Sequence, residues 1–143
     1  DNLVSARVEA GKLFEEAVQG YKKWFTPLVT PDYCKNSYWA FACVLKREDI
    51  SWEIFRQKFC ELGGDGVYAC WKLTYEEPFI TNGNFAGREK YISDQNFQTY
   101  KKGLCPVAEK LQPNLFLFKT NYWVREQAVK QAQILKKTLD FFG

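Results

Sequence analysis

The chain has 143 residues with 20 basic and 17 acidic side chains, a net charge of +3. That length suits one domain able to bury its own core, and so small a charge gives no argument for nucleic acid or an anionic membrane as a partner. There is no His, so imidazole bases, His-dependent triads and His-ligated zinc are excluded, and no apolar run is long enough to span a bilayer.

Apolar residues at spacings of three and four (Ala10, Phe14, Ala17, Tyr21, then Trp24 or Phe25) predict an amphipathic helix over 3–25. Pro27 and Pro31 end it and open a connecting loop. Residues 38–45 (YWAFACVL) read as a strand, apolar on both faces and so covered on both. Ser51 is placed to cap a helix over 52–62, with Trp52, Phe55 and Phe59 as its buried stripe and Gly63 as its stop.

The stretch from Gly63 to Pro78 (GGDGVYACWKLTYEEP) is the most informative in the chain. A glycine-rich turn leads into a short strand, 67–71, and the strand into a crowd of aromatic and charged groups. Tyr68 reads as core. The remainder is too polar for a core and too aromatic for an idle loop, and reads as the wall of a site. Residues 79–104 have weak periodicity and read as a long loop.

Pro106 starts a short helix that stops before Pro113. Residues 115–119 (LFLFK) form a third strand. Val124, Ala128, Gln131 or Ala132, Leu135, Leu139 and Phe142 mark a terminal helix. The expected fold is α+β: a small sheet of about three strands with helices on one face and the other face free to dock. The five cysteines are odd in number and widely spaced, and read as reduced, mostly buried thiols with no metal spacing. The aromatic content, 17%, serves either an aromatic core or a second covered surface. The chain holds no Met and begins at Asp1, which reads as part of a longer protein.

Four segments together resemble the C-terminal domain of the sugar-nucleotide aminotransferases, the DegT/DnrJ/StrS family of fold-type-I enzymes dependent on pyridoxal phosphate. Residues 36–41 (NSYWAF) resemble the family's first small-domain strand, and 50–56 (ISWEIFR) its next helix. Residues 66–78 resemble its Gly-Ile-x-Thr-x-x-His-Tyr-x-Pro-Leu-His segment. Residues 105–109 (CPVAE), with 115–122 after them, resemble its Pro-x-Ala-Glu helix and following strand. Both family histidines are absent: Lys72 to Glu77 stand in their place.

The resemblance implies a single domain, 1–143, closing one side of a cleft. An amino group, typically from glutamate, would pass by way of pyridoxal phosphate to a keto sugar carried on a nucleotide, for amino-sugar and surface-polysaccharide synthesis in the cytoplasm. The Schiff-base lysine and most cofactor contacts would belong to an N-terminal large domain, so this chain alone would be inactive. The full-length protein would be a homodimer. The substrate-binding candidates are Trp71, Lys72, Thr74, Tyr75 and Asn121, and no catalytic residue is assigned within the chain.

Each candidate has a plainer reading. Lys72 could lay its stem over Trp71 in solvent. Trp71 and Tyr75 could pack rather than stack on a ligand. Asn121 could cap the terminal helix. The Gly-Gly-Asp-Gly turn lacks the Lys-Ser/Thr of a P-loop, and Glu76 and Glu77, adjacent in sequence, point to opposite sides of an extended segment. A non-catalytic module binding a sugar nucleotide or a protein is the alternative. Single-strand nucleic-acid binding on aromatics is disfavoured by the low charge.

Overall fold

The computed structural model describes residues 1–69, 72–81 and 100–143. Helix α1 (Asn2–Ala17) buries Ala10, Phe14 and Ala17, the stripe its sequence spacing marks. It stops eight residues short of the expected end. Gln19–Tyr21 is a 3-10 turn, and Phe25–Pro27 is strand β1. The apolar residues past 17 follow no helical face: Phe25 is fully buried in the sheet while Tyr21 and Trp24 pack at its margin. Pro27, which cannot donate a ladder hydrogen bond, is tolerated because β1 is an edge strand.

Strand β2 (Ala40–Leu45) pairs antiparallel with β1 and with β4 (Leu115–Lys119), and β4 pairs antiparallel with β3 (Val67–Ala69). The order is β1-β2-β4-β3. Among the described residues the sheet therefore has four strands rather than about three, the addition being β1. Helix α2 (Trp52–Glu61) follows β2, and helices α3 (Pro78–Thr81) and α4 (Pro106–Leu111) lie between β3 and β4. Helix α5 (Arg125–Phe142) closes the chain. The α+β class expected from the sequence is the observed one.

Burial alternates along β2 and β4. Phe41, Cys43, Leu45, Phe116 and Phe118 are buried, while Ala40, Ala42, Val44, Leu115, Leu117 and Lys119 are only half-covered. The expectation that both faces of β2 are covered is thus corrected. Its run of small and apolar residues disguised an alternation of period two. All three long helices lie on the buried face. Phe14 from α1 stacks at 5.5 Å on Phe41 and at 5.7 Å on Phe118. Phe55 from α2 stacks at 5.1 Å on Phe25 and meets Phe116 edge-on at 5.0 Å. Leu135 and Leu139 of α5 are fully buried in the same cluster. Much of the aromatic content is therefore core. Truncating any one of these rings to Ala costs about 3–5 kcal/mol.

Two local devices hold this arrangement. At the end of α2, Gly63 (φ 95°) turns the chain. The Gly63 N–H donates to the Cys60 carbonyl and the Gly64 N–H to the Phe59 carbonyl, both at 2.9 Å. This is the paired closure that satisfies the last carbonyls of a helix. Ser51 caps the other end of α2 as expected, its hydroxyl accepting from the Ile54 N–H at 3.4 Å.

The second device is Tyr38, which has φ 48° and delays the start of β2 to residue 40. The Asn36 side chain accepts its N–H at 2.8 Å, its hydroxyl donates to Glu15 at 2.6 Å, and its carbonyl accepts from the Thr120 hydroxyl at 2.5 Å. Its ring lies directly on the backbone of Gly11, where a Cβ would come within 2.3 Å.

Two compact units are present: residues 1–69 with 114–143, containing the sheet and the long helices, and residues 70–113. Three further expectations change in detail. Tyr68 is half-exposed, not core, because it stands opposite Leu117 on the open sheet face. Of the four described cysteines only Cys43 is buried, and Cys34 and Cys105 are exposed. Trp52 is only partly buried in the α2 stripe. Residues 82–99 of the expected long loop lie outside the described residues, as do Cys70 and Trp71.

Replacing Gly11 by Ala is expected to destabilise the chain by roughly 1–3 kcal/mol through overpacking on Tyr38. Gly20→Ala, where nothing lies within 4 Å, is expected to be neutral or to stabilise by up to about 1 kcal/mol. Urea titrations of the two variants check this contrast.

Candidate functional site

The second unit contains four of the sequence candidates, of which Lys72, Thr74 and Tyr75 are described. Lys72 and Thr74 are exposed; Thr74 opens a 3-10 turn, Thr74–Glu76. Tyr75 is buried, and its hydroxyl donates to the Glu109 carboxylate in a short hydrogen bond. Glu109 projects from α4 and reaches back over the start of its own helix. It accepts the Gly103 N–H at 2.8 and 2.9 Å and the Cys105 N–H at 3.1 Å. One carboxylate thus ties the Tyr75 turn to the N-terminal end of α4, satisfying donors that the first turn of a helix leaves open.

The Tyr75 hydroxyl, aided by those N–H groups, holds the Glu109 carboxyl below its usual range, against the opposing effect of desolvation. Burial, with Glu109 next in effect, pushes the Tyr75 phenol up. Lys72 therefore stands in solvent beside a braced turn, while Tyr75 serves as an internal contact of this unit. Glu109 was not among the sequence candidates. Its signal was its position four residues after Cys105, where a glutamate can reach back to its helix start. Trp71 lies outside the described residues.

Asn121 belongs to the first unit, in the segment between β4 and α5. It does not cap α5: the N-cap position is Val124, and no side chain caps that end. Around it are two clusters. In one, Asp65 accepts from the Tyr122 hydroxyl at 3.0 Å and pairs with Lys119 at 3.2 Å. The Asp65 N–H donates to the Gln131 side chain at 3.0 Å, and the Gln131 amide donates to the Gly63 carbonyl at 3.3 Å.

The Gly-Gly-Asp-Gly turn is therefore bound to β4 and α5 by its own aspartate. Lys119 also lies over the Tyr122 ring at 5.0 Å. Desolvation, with the charge and hydrogen bond of Asp65 adding to it, pushes the Tyr122 phenol far up. This cluster braces the turn, and its groups satisfy one another.

In the other cluster, Asn121 lines a hollow of about 120 Å³ with Leu3, Ala6, Arg7, Tyr122 and Trp123. A larger hollow, about 260 Å³, opens beside the Tyr38 turn, with Leu28, Trp39, Ala42 and Leu117 in its lining. It reaches onto the half-covered sheet face, where Leu28 and Trp39 are exposed. Arg7 escaped the sequence reading although it carried a signal. It falls three residues before Ala10, on the apolar stripe of α1, where a charged residue needs a reason.

No family model matches this chain, and no curated protein matches it.

Tyr122→Phe removes a hydrogen bond to a charged acceptor and is expected to cost about 1.5–3 kcal/mol in a denaturant titration. The tyrosines also set the alkaline limit. Burial, aided by Glu15, pushes the Tyr38 phenol up to about 12, whereas an unfolded chain releases that proton near about pH 10. The folded state keeps a proton that the unfolded state loses. This contribution to stability is therefore complete below about pH 10 and is lost as pH rises through the folded value. Tyr38→Phe is expected to flatten that fall, measured by midpoint shifts across the alkaline range.

Proposed function

We propose that this chain is the small C-terminal domain of a sugar-nucleotide aminotransferase of the DegT/DnrJ/StrS type, acting in the cytoplasm within a dimeric full-length protein. The four resembling segments support this reading. The structural observation that supports it most is the one-sided sheet. Three helices cover one face, and the other carries Val44, Leu115, Leu117 and Tyr68 only half-covered. A face of that chemistry suits a domain that closes on another.

In this reading glutamate is the amino donor and a keto sugar on a nucleotide is the acceptor. Pyridoxal phosphate supplies the electron sink when bound. The described residues do not fit the role of carrying it. A Schiff-base lysine works desolvated, and no described lysine is buried. The least exposed are already engaged, Lys58 with Glu61 and the Phe141 ring, and Lys119 with Asp65. The cofactor lysine is thus assigned to a large domain on the N-terminal side.

The role left to this chain is recognition. Lys72 is the exposed cation that would meet the diphosphate or sugar, with Thr74 beside it. The turn holding both is braced by Tyr75 and Glu109. Trp71 is retained as an aromatic contact from its place in the sequence, and Asn121 as a separate candidate in the first unit.

The coding sequence upstream of Asp1 tests the assignment: an in-frame large domain bearing the cofactor lysine is expected, and a stop codon directly before Asp1 would contradict it. In the complete enzyme Lys72→Ala is expected to raise KM for the sugar nucleotide about tenfold, the scale of one charge-assisted hydrogen bond, with Tm unchanged because the side chain is exposed. An unaltered KM would remove Lys72 from the site.

A further inference from the structure

Arg7 is held in place by the backbone. Its Nη1 donates to the Trp39 carbonyl at 2.7 Å and to the Thr120 hydroxyl at 3.3 Å. Thr120 is fully buried and itself bonds the Tyr38 and Trp39 carbonyls, so the guanidinium is oriented by rigid groups. Both acceptors are neutral. Among the described residues no carboxylate pairs with Arg7. Glu9 pairs with Arg125 and Asp65 with Lys119. A partly buried guanidinium with an unspent charge and donors in a fixed fork is the usual partner of a planar oxyanion.

The hollow it enters has a matching character. Leu3 and Ala6 give it an aliphatic side. Asn121, which makes no side-chain hydrogen bond among the described residues, adds an amide. Trp123, 79% exposed, offers its ring, while Tyr122 forms the remaining wall.

We propose that this hollow binds a small organic carboxylate: the carboxyl on the Arg7 fork and the Asn121 amide, the apolar body between Leu3, Ala6 and the Trp123 indole. One cation and mainly apolar walls favour a monoanion over phosphate, which carries more charge and gathers further donors. The volume of about 120 Å³ admits an acid of a few carbons. The proposal shares Asn121 with the aminotransferase reading, but it uses none of the Lys72 turn and needs no cofactor.

The test is a titration of the 143-residue chain with isobutyrate, followed by nitrogen–proton correlation NMR at the Trp123 indole and Asn121 amide signals. Isobutyramide serves as the neutral isostere and inorganic phosphate as the competing anion. Saturable shifts with isobutyrate are expected, with affinity at least about tenfold weaker for isobutyramide, matching the loss of a charge-assisted pair. Arg7→Lys is expected to weaken binding by about tenfold, because a single ammonium cannot reproduce the fork.

Arg7 also ties Trp39 and Thr120, so that variant can lose its fold. Asn121→Ala and Trp123→Ala alter exposed side chains, and each is expected to weaken isobutyrate about threefold with Tm unchanged. Equal binding of isobutyramide, tighter binding of phosphate, or unchanged affinity in both exposed variants would overturn the proposal, as would the absence of saturable shifts.

Discussion

The first unit depends on one constraint: phenylalanines from five elements must meet on a single face of a narrow sheet. Phe25, Phe41, Phe116 and Phe118 come from the strands, and Phe14, Phe55 and Phe59 from α1 and α2. All are essentially fully buried. Rings of this size contribute most of what a small domain gains on folding. They also fix register, because a slip of one residue in β2 or β4 would turn Phe41 or Phe116 out of the core. The same constraint leaves the opposite face with small and mid-sized residues. The open face is thus the geometric counterpart of the aromatic core.

The polar groups follow from that layer. Tyr38 must leave helical and extended conformations to enter β2 while seating its ring on Gly11, and Thr120, Asn36 and Glu15 hold it there. The Thr120 hydroxyl reaches the Trp39 carbonyl that Arg7 also reaches, so the residues orienting the Arg7 fork are those fixing the start of β2. Similarly, Asp65 is positioned by the glycine closure of α2 and then shared among Lys119, Tyr122 and the Gln131 amide. Tyr75, a binding candidate in the sequence, and Asp65 of the glycine turn are both satisfied by protein partners. Lys72 and Asn121 are left facing solvent.

Much of the fold was legible in the sequence because strong local signals agreed with tertiary need. Ser51, the Phe55–Phe59 spacing and Gly63 define α2 almost to the residue. The apolar run LFLFK and the long stripe of α5 do the same for β4 and the terminal helix. Strand β1 was illegible, since three residues ending in Pro27 carry no strand period and become a strand only through pairing with Val44 and its neighbours. The one-sided burial of β2 was hidden because Ala40 and Ala42 are apolar yet too small to demand cover. For the site, a run of sequence located Lys72 and Thr74. Glu109 and Arg7 depend on partners far along the chain, Tyr75 and Trp39, which no local pattern reveals.

We propose that this domain recognises a nucleotide-linked keto sugar for an amino-transfer reaction performed by a larger protein. The most direct measurement is transfer of isotopically labelled nitrogen from glutamate to keto sugar nucleotides by the complete gene product, read by mass spectrometry of the sugar. Label is expected in the sugar with the complete protein and none with the 143-residue chain alone. A folded complete protein holding pyridoxal phosphate that labels no sugar nucleotide would contradict it.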